Sequence, residues 1–146
     1  MERYVEHLYN KILHEIVIPE TGNDVTYLKD LSRIGNRLLL GKFHGVYPSD
    51  KLPRLTKSKP YAILNVDKSN QPGSHWVAVA RINGTTYIYD SFGRKIKTLI
   101  HDLNSTIRDI DTKDAEQKSN EDNCGARVIA FLLLIDNFGL EYARHL

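Results

Sequence analysis

Residues 124 to 138 constrain this chain more than any others. Val128, Ile129, Phe131, Leu132, Leu133, Leu134 and Ile135 make the segment apolar nearly all round, with no polar stripe for water. A helix of this kind has to be enclosed by other elements. Its longest apolar run, Val128 to Ile135, is far short of the ~20 residues that span a bilayer, so the enclosure must come from the protein itself. The 146 residues supply one domain's worth of material for that purpose, a single domain over residues 1–146.

Upstream the pattern divides into two regimes. Val5, Leu8, Ile12, Leu13 and Ile16 recur at helical spacing over residues 2 to 17, and Pro19 with the polar run 21 to 24 is expected to interrupt that helix. Asp24 is placed to cap a second helix carrying Val25, Leu28, Leu31 and Ile34 on one face, which Gly35 or Gly41 would end. Phe43 to Pro60, punctuated by Gly45, Pro48 and Pro53, reads as a loop with a basic rim. From Tyr61 the period shortens. Tyr61 to Val66, His75 to Ile82 and Thr85 to Asp90 read as strands, the last two joined by the hairpin signal Asn83-Gly84. A short helix at Ile96 to Leu103, a strand at Thr106 to Ile110 and a polar loop from Asp111 to Asn123 complete the chain. The expected fold class is α+β: a small central, mainly antiparallel sheet packed against the buried helix, with N-terminal helices.

Composition narrows the function classes. Hydrophobic residues at 41% and charged residues at 26% are ordinary for a soluble domain and argue against disorder or a fibrous repeat. A net charge of +2 is too mild for a dedicated nucleic-acid binder; Lys51, Arg54, Lys57, Lys59, Arg94, Lys95 and Lys97 read first as scattered solvated charge, with weak DNA contact as the alternative. The start Met-Glu-Arg-Tyr has no apolar signal region, so a soluble intracellular protein without a membrane partner is expected. A single cysteine excludes an internal disulfide and Cys-rich zinc motifs. A metal site from His44, His75, Asp90 and Cys124 lacks any helical His spacing, so neither metal nor other cofactor is expected.

Cys124 opens the buried helix directly after the polar run Ser119 to Asn123. It therefore sits where unpaired backbone N–H groups and the helix dipole stabilise an anion. An inert core thiol is the competing reading. A thiol nucleophile needs a base and a group to orient that base. His7, His14, His101 and His145 read as surface residues, His44 lies in the loop, and His75 stands where a loop meets a strand, which makes it the best base. Asp90 ends the next strand, so antiparallel pairing should return it beside His75, although Asp before Ser91-Phe92-Gly93 is also a turn signal.

The segments Gly73-Ser-His75-Trp, Tyr89-Asp90-Ser-Phe-Gly93 and Gln117 seven positions before Cys124-Gly125 resemble the adenain-like superfamily of cysteine proteases, which joins the adenovirus-type and ubiquitin-like-specific branches. Leu40-Gly41-Lys-Phe43 with Gly45 and Pro48 is similar to the small maturation proteases of virophages and Polinton-type elements. The resemblance implies Cys124 as nucleophile, His75 as general base, Asp90 as orienting acid and Gln117 as an oxyanion-hole side chain. It further implies Trp76 as a wall of the substrate cleft, beside its plain reading as a core aromatic, and Gly125 as a point of close substrate approach, beside its plain reading as a tight helix start. Asp122 and Asn123 take no role beyond capping.

The function so implied is an endopeptidase that cuts beside small residues, often glycine, and processes viral capsid precursors in a virion or viral factory. Removal of ubiquitin-like modifiers and a catalytically idle peptide- or nucleic-acid-binding module are the alternatives. The second thiol through which an activating peptide is tethered in the adenovirus-type branch is absent, so no disulfide-linked activator is expected.

Overall fold

The computed structural model describes residues 2–22, 28–66, 75–100, 103–104, 106–110 and 123–146. The N-terminal segment is helical from α1 (Glu2–Ile12) through one π turn (Leu13–Val17) into α2 (Ile18–Thr21). Pro19 does not end it, contrary to the sequence expectation. Proline has no N–H to donate, and Pro19 falls in the first turn of α2, directly after the π turn, where a proline is tolerated; the helix stops only at Gly22, whose φ of 75° accompanies a bond from its N–H to the Ile18 carbonyl.

Helix α3 (Leu28–Leu38) likewise runs through Gly35 rather than stopping there. The glycine is needed for contact, because a Cβ at position 35 would lie 2.6 Å from the Phe43 ring. Neither candidate glycine supplies the left-handed exit: Leu40 does, with φ at 52°, one residue before Gly41. The Asp24 cap and Val25 lie outside the described residues.

Among the described residues the sheet has five strands in the order β1 (Phe43–Tyr47), β2 (Tyr61–Asn65), β3 (Trp76–Ile82), β4 (Thr85–Tyr89) and β5 (Arg108–Asp109). It is mixed rather than mainly antiparallel. β2–β3–β4 pair antiparallel as the hairpin signal implies, whereas β1 joins β2 and β5 joins β4 in parallel. β1 lies in the stretch expected to be a loop; its register shifts between Phe43 and Gly45, and the resulting bulge hides the alternation that marks a strand. Asn83 and Gly84 have φ of 50° and 80°, the mirror-image turn that suits a twisted hairpin. α4 (Ile96–Leu99) and β5 are shorter than their sequence signals suggest.

Alternation along the central strands produces two cores. Tyr61, Ile63, Trp76, Ala78, Ala80 and Tyr89 face the first, which contains α5 (Cys124–Phe138) together with α1, α3 and α6 (Leu140–Ala143). Ala62, Leu64, Val77, Val79 and Ile88 face a second, smaller core closed by Leu55, Ile96, Ile100 and Ile107. Every residue of α5 from Cys124 to Ile135 is buried, as its all-round apolar sequence requires, and the helix packs against β3. Tyr89 of β4 and Phe131 of α5 stack with ring centroids 3.6 Å apart. The architecture is α+β, with the buried helix on one face of the sheet. Among the described residues no helix is long and apolar enough to cross a membrane.

Candidate active site

The site forms where the start of β3, the end of β4 and the first residue of α5 meet. Pairing of Ala78 with Tyr89 brings the two strand ends together, so that His75, just before β3, faces Asp90, just after β4. His75 Nε2 and Asp90 Oδ1 are 2.6 Å apart. Asp90 is fully enclosed at its side chain and His75 is only 12% exposed there. Cys124, the first residue of α5, lies near enough to the imidazole to act on its charge. With Nε2 bonded to Asp90, Nδ1 is the ring nitrogen left for the thiol.

Electrostatics follow from this enclosure. Burial pushes the His75 pKa down, but the hydrogen bonds and electrostatic attraction of Asp90 and Cys124 outweigh it and leave the imidazole above its ordinary value. Burial pushes Asp90 up, yet its bonds to His75 and Arg94 and their positive charges hold the carboxyl below the usual range. The pair is therefore biased towards imidazolium and carboxylate.

Two further residues belong to the arrangement and were not singled out as site residues from the sequence. Phe92 stacks on the His75 ring, with centroids 4.9 Å apart at 24°. Arg94 Nε donates to Asp90 Oδ2 at 2.6 Å, and its guanidinium carbon lies 5.2 Å from the Phe92 centroid. Both are delivered by the turn Asp90 to Gly93, closed by a bond from the Gly93 N–H to the Asp90 carbonyl at 2.8 Å. The Phe92 N–H also donates to Asp90 Oδ1, so the carboxylate caps its own turn. The turn signal was legible in Asp90-Ser-Phe-Gly93; it reports that the chain reverses, and a reversal of this length lays the next side chains back on the aspartate.

The other sequence candidates are placed as follows. Gln117 and Asp122 lie outside the described residues, as do Gly73 and Ser74. Gly125 is the buried second residue of α5. Trp76 is 6% exposed and packs in the same core as Cys124, the environment of a core aromatic. Asn123 precedes α5 and accepts from Arg127 Nε at 3.1 Å, and its carbonyl takes the Arg127 N–H. His44 belongs to β1 and bonds through Nδ1 to the Tyr47 hydroxyl at 2.6 Å. Parallel pairing sets it near the Tyr61 end of β2, opposite Ala80 and away from His75. Among the described residues no grouping of three or more His, Cys, Asp or Glu side chains could hold a metal ion.

A cavity of about 1040 Å3, lined by Ser49, Arg54, Arg81, Thr86 and Ile107 among others, lies towards the Asn83-Gly84 end of the hairpin. It is therefore at the opposite end of β3 from His75. Arg94, counted from the sequence among the cations of a basic surface, is bonded to Asp90 while its side chain stays 43% exposed. A sulfur at a helix start, an imidazole beside it and a buried carboxylate behind that ring form the ordered set that nucleophilic acyl transfer requires. No protein-family model matches the chain, and no curated protein matches it.

Proposed function

We propose that the protein is an adenain-like cysteine endopeptidase with Cys124 as nucleophile and His75 as its general base and acid. The observation that supports this reading most directly is the 2.6 Å bond from the His75 ring to buried Asp90, with Cys124 near enough to act on that ring. His75 takes the thiol proton as sulfur attacks the scissile carbonyl, then returns it to the leaving amine. Asp90 orients the ring and stabilises the imidazolium formed between those steps. The Cys124 N–H at the helix start and the Gln117 amide are assigned to the oxyanion, each such donor lowering the barrier by about 2.7 to 4 kcal/mol in comparable sites. Water then hydrolyses the thioester.

The substrates are peptide bonds beside small residues, glycine above all, in viral capsid precursors. The test is to mix the purified chain, and Cys124→Ser beside it, with viral capsid precursor proteins and with a ubiquitin-like conjugate. Cleavage of the capsid precursor by the parent alone is the expected result. Cleavage of the conjugate alone would transfer the substrate class to modifier removal, as the Tyr89-Asp90-Ser element would favour. Failure of a thiol-directed probe to label native Cys124, with neither protein cut, would leave an idle binding module.

A further inference from the structure

We infer that Arg94 is a positioning residue: it grips Oδ2 of Asp90 and so presents Oδ1, in one fixed orientation, to the imidazole of His75. A carboxylate has two equivalent oxygens and can exchange them by rotation about its Cβ–Cγ bond. Here the exchange is opposed from both sides. Oδ2 receives Arg94 Nε at 2.6 Å and the Arg94 N–H at 3.3 Å, while Oδ1 receives the Phe92 N–H at 3.2 Å besides His75 at 2.6 Å. The backbone bonds are long; the short bond on the Oδ2 side comes from the guanidinium, and charge-assisted bonds of that length are the strong ones.

Arg94 is itself held in place. Its guanidinium lies near the Phe92 ring, and that ring stacks on His75, so His75, Asp90, Arg94 and Phe92 form a closed circuit of contacts. The Arg94 side chain remains 43% exposed, so its charge keeps part of its hydration while its Nε edge does the holding. A lysine at this position would bring the charge without the planar N–H edge. The consequence for hydrolysis rests on the protease reading, whereas the effect on the His75–Asp90 pair does not.

The test is a titration of His75 by NMR in the full chain, with the resonance assigned by a His75→Gln variant, for the parent, Arg94→Gln and Arg94→Lys. The groups that act on the ring among the described residues are Asp90 and Cys124, with Arg94 behind Asp90. If Arg94 aims the carboxylate, releasing it weakens the His75 bond, and the midpoint falls by about half a pH unit or more in Arg94→Gln and by less in Arg94→Lys. If Arg94 merely screens Asp90, its removal strengthens the field at the ring and the midpoint rises. An unchanged or raised midpoint overturns the proposal.

Should Arg94→Gln fail to fold, Arg94→Lys carries the same comparison. Because the titration needs no substrate, a parent protein that cuts nothing would sink the protease reading and leave this result standing. Where hydrolysis is observed, kcat falls about 10-fold in Arg94→Gln with KM unchanged, the pattern of a lost interaction that matters only as the barrier is crossed.

Discussion

Asp90 accepts a 2.6 Å hydrogen bond from His75 although 15 residues separate them, because the β3–β4 hairpin folds the two strand ends back to one edge of the sheet. The same pairing aims the imidazole at the first residue of α5, the helix that fills the larger core. Cys124, His75 and Asp90 thus stand in an enclosed part of the molecule, where packing holds them and little water competes.

Cys124→Ser is expected to abolish peptide hydrolysis by at least about 10³-fold, because a hydroxyl is a far weaker nucleophile when only this imidazole assists it. Thermal unfolding should change little, since the replacement removes no carbon from the core. Asp90→Asn keeps the shape of the side chain but not its charge, and should lower kcat by about 10²-fold or more. Single-turnover assays with near-identical circular-dichroism spectra check both. Residual hydrolysis in Cys124→Ser close to that of the parent would refute the assignment.

Stability should respond to pH through Asp90 and His75 in opposite senses. The Asp90 pKa is depressed in the fold below the ordinary 3.8, so its contribution is present above that value and is lost as pH falls through the folded pKa. The His75 pKa is raised above 6.5, so its contribution is complete below that value and is lost as pH rises through the folded pKa. The urea midpoint should therefore be highest between these two ordinary values. Asp90→Asn should flatten the acid side and reduce the loss on the alkaline side, while lowering stability by about 3 kcal/mol through the broken buried pair. Equal pH profiles for parent and variant would contradict this.

Gly35→Ala places a methyl group 2.6 Å from the Phe43 ring where α3 crosses β1. The helix gains propensity from alanine, but the clash at this buried contact outweighs it, and a net loss of about 1 to 3 kcal/mol is expected in chemical denaturation. Pairing with Phe43→Leu should recover part of that loss. No recovery would show that the ring is not the obstacle.

Phe131→Ala removes one partner of the 3.6 Å stack with Tyr89 and leaves a void between α5 and β4; a loss of about 3 to 5 kcal/mol is expected. Gly84→Ala meets no atom within 4 Å, so its whole cost is the left-handed backbone at φ of 80°, about 1 kcal/mol. The contrast separates packing from backbone conformation in one set of denaturation curves.

The sequence by itself determined the elements whose signals are local. The helix from Cys124 to Phe138 has the bounds its apolar run indicates, the Asn83-Gly84 turn joins the two strands it flanks, and the order of helices, sheet and buried helix follows from the change in hydrophobic period. His75 and Asp90 could be paired in advance because a tight hairpin leaves one register to choose.

Only the tertiary structure decided the rest. β1 owes its existence to β2, a partner beyond a long connection, and a bulged parallel edge strand carries no alternation of its own. Phe43 fills the space that a Cβ at Gly35 would take, the chain passes Pro19 in the turn that follows a π turn, and Arg94, though still 43% exposed, reaches Asp90 because a turn returns it there. Bonds between neighbours in sequence are written in residue type and spacing; bonds to groups brought close by folding exist only once the whole chain has packed.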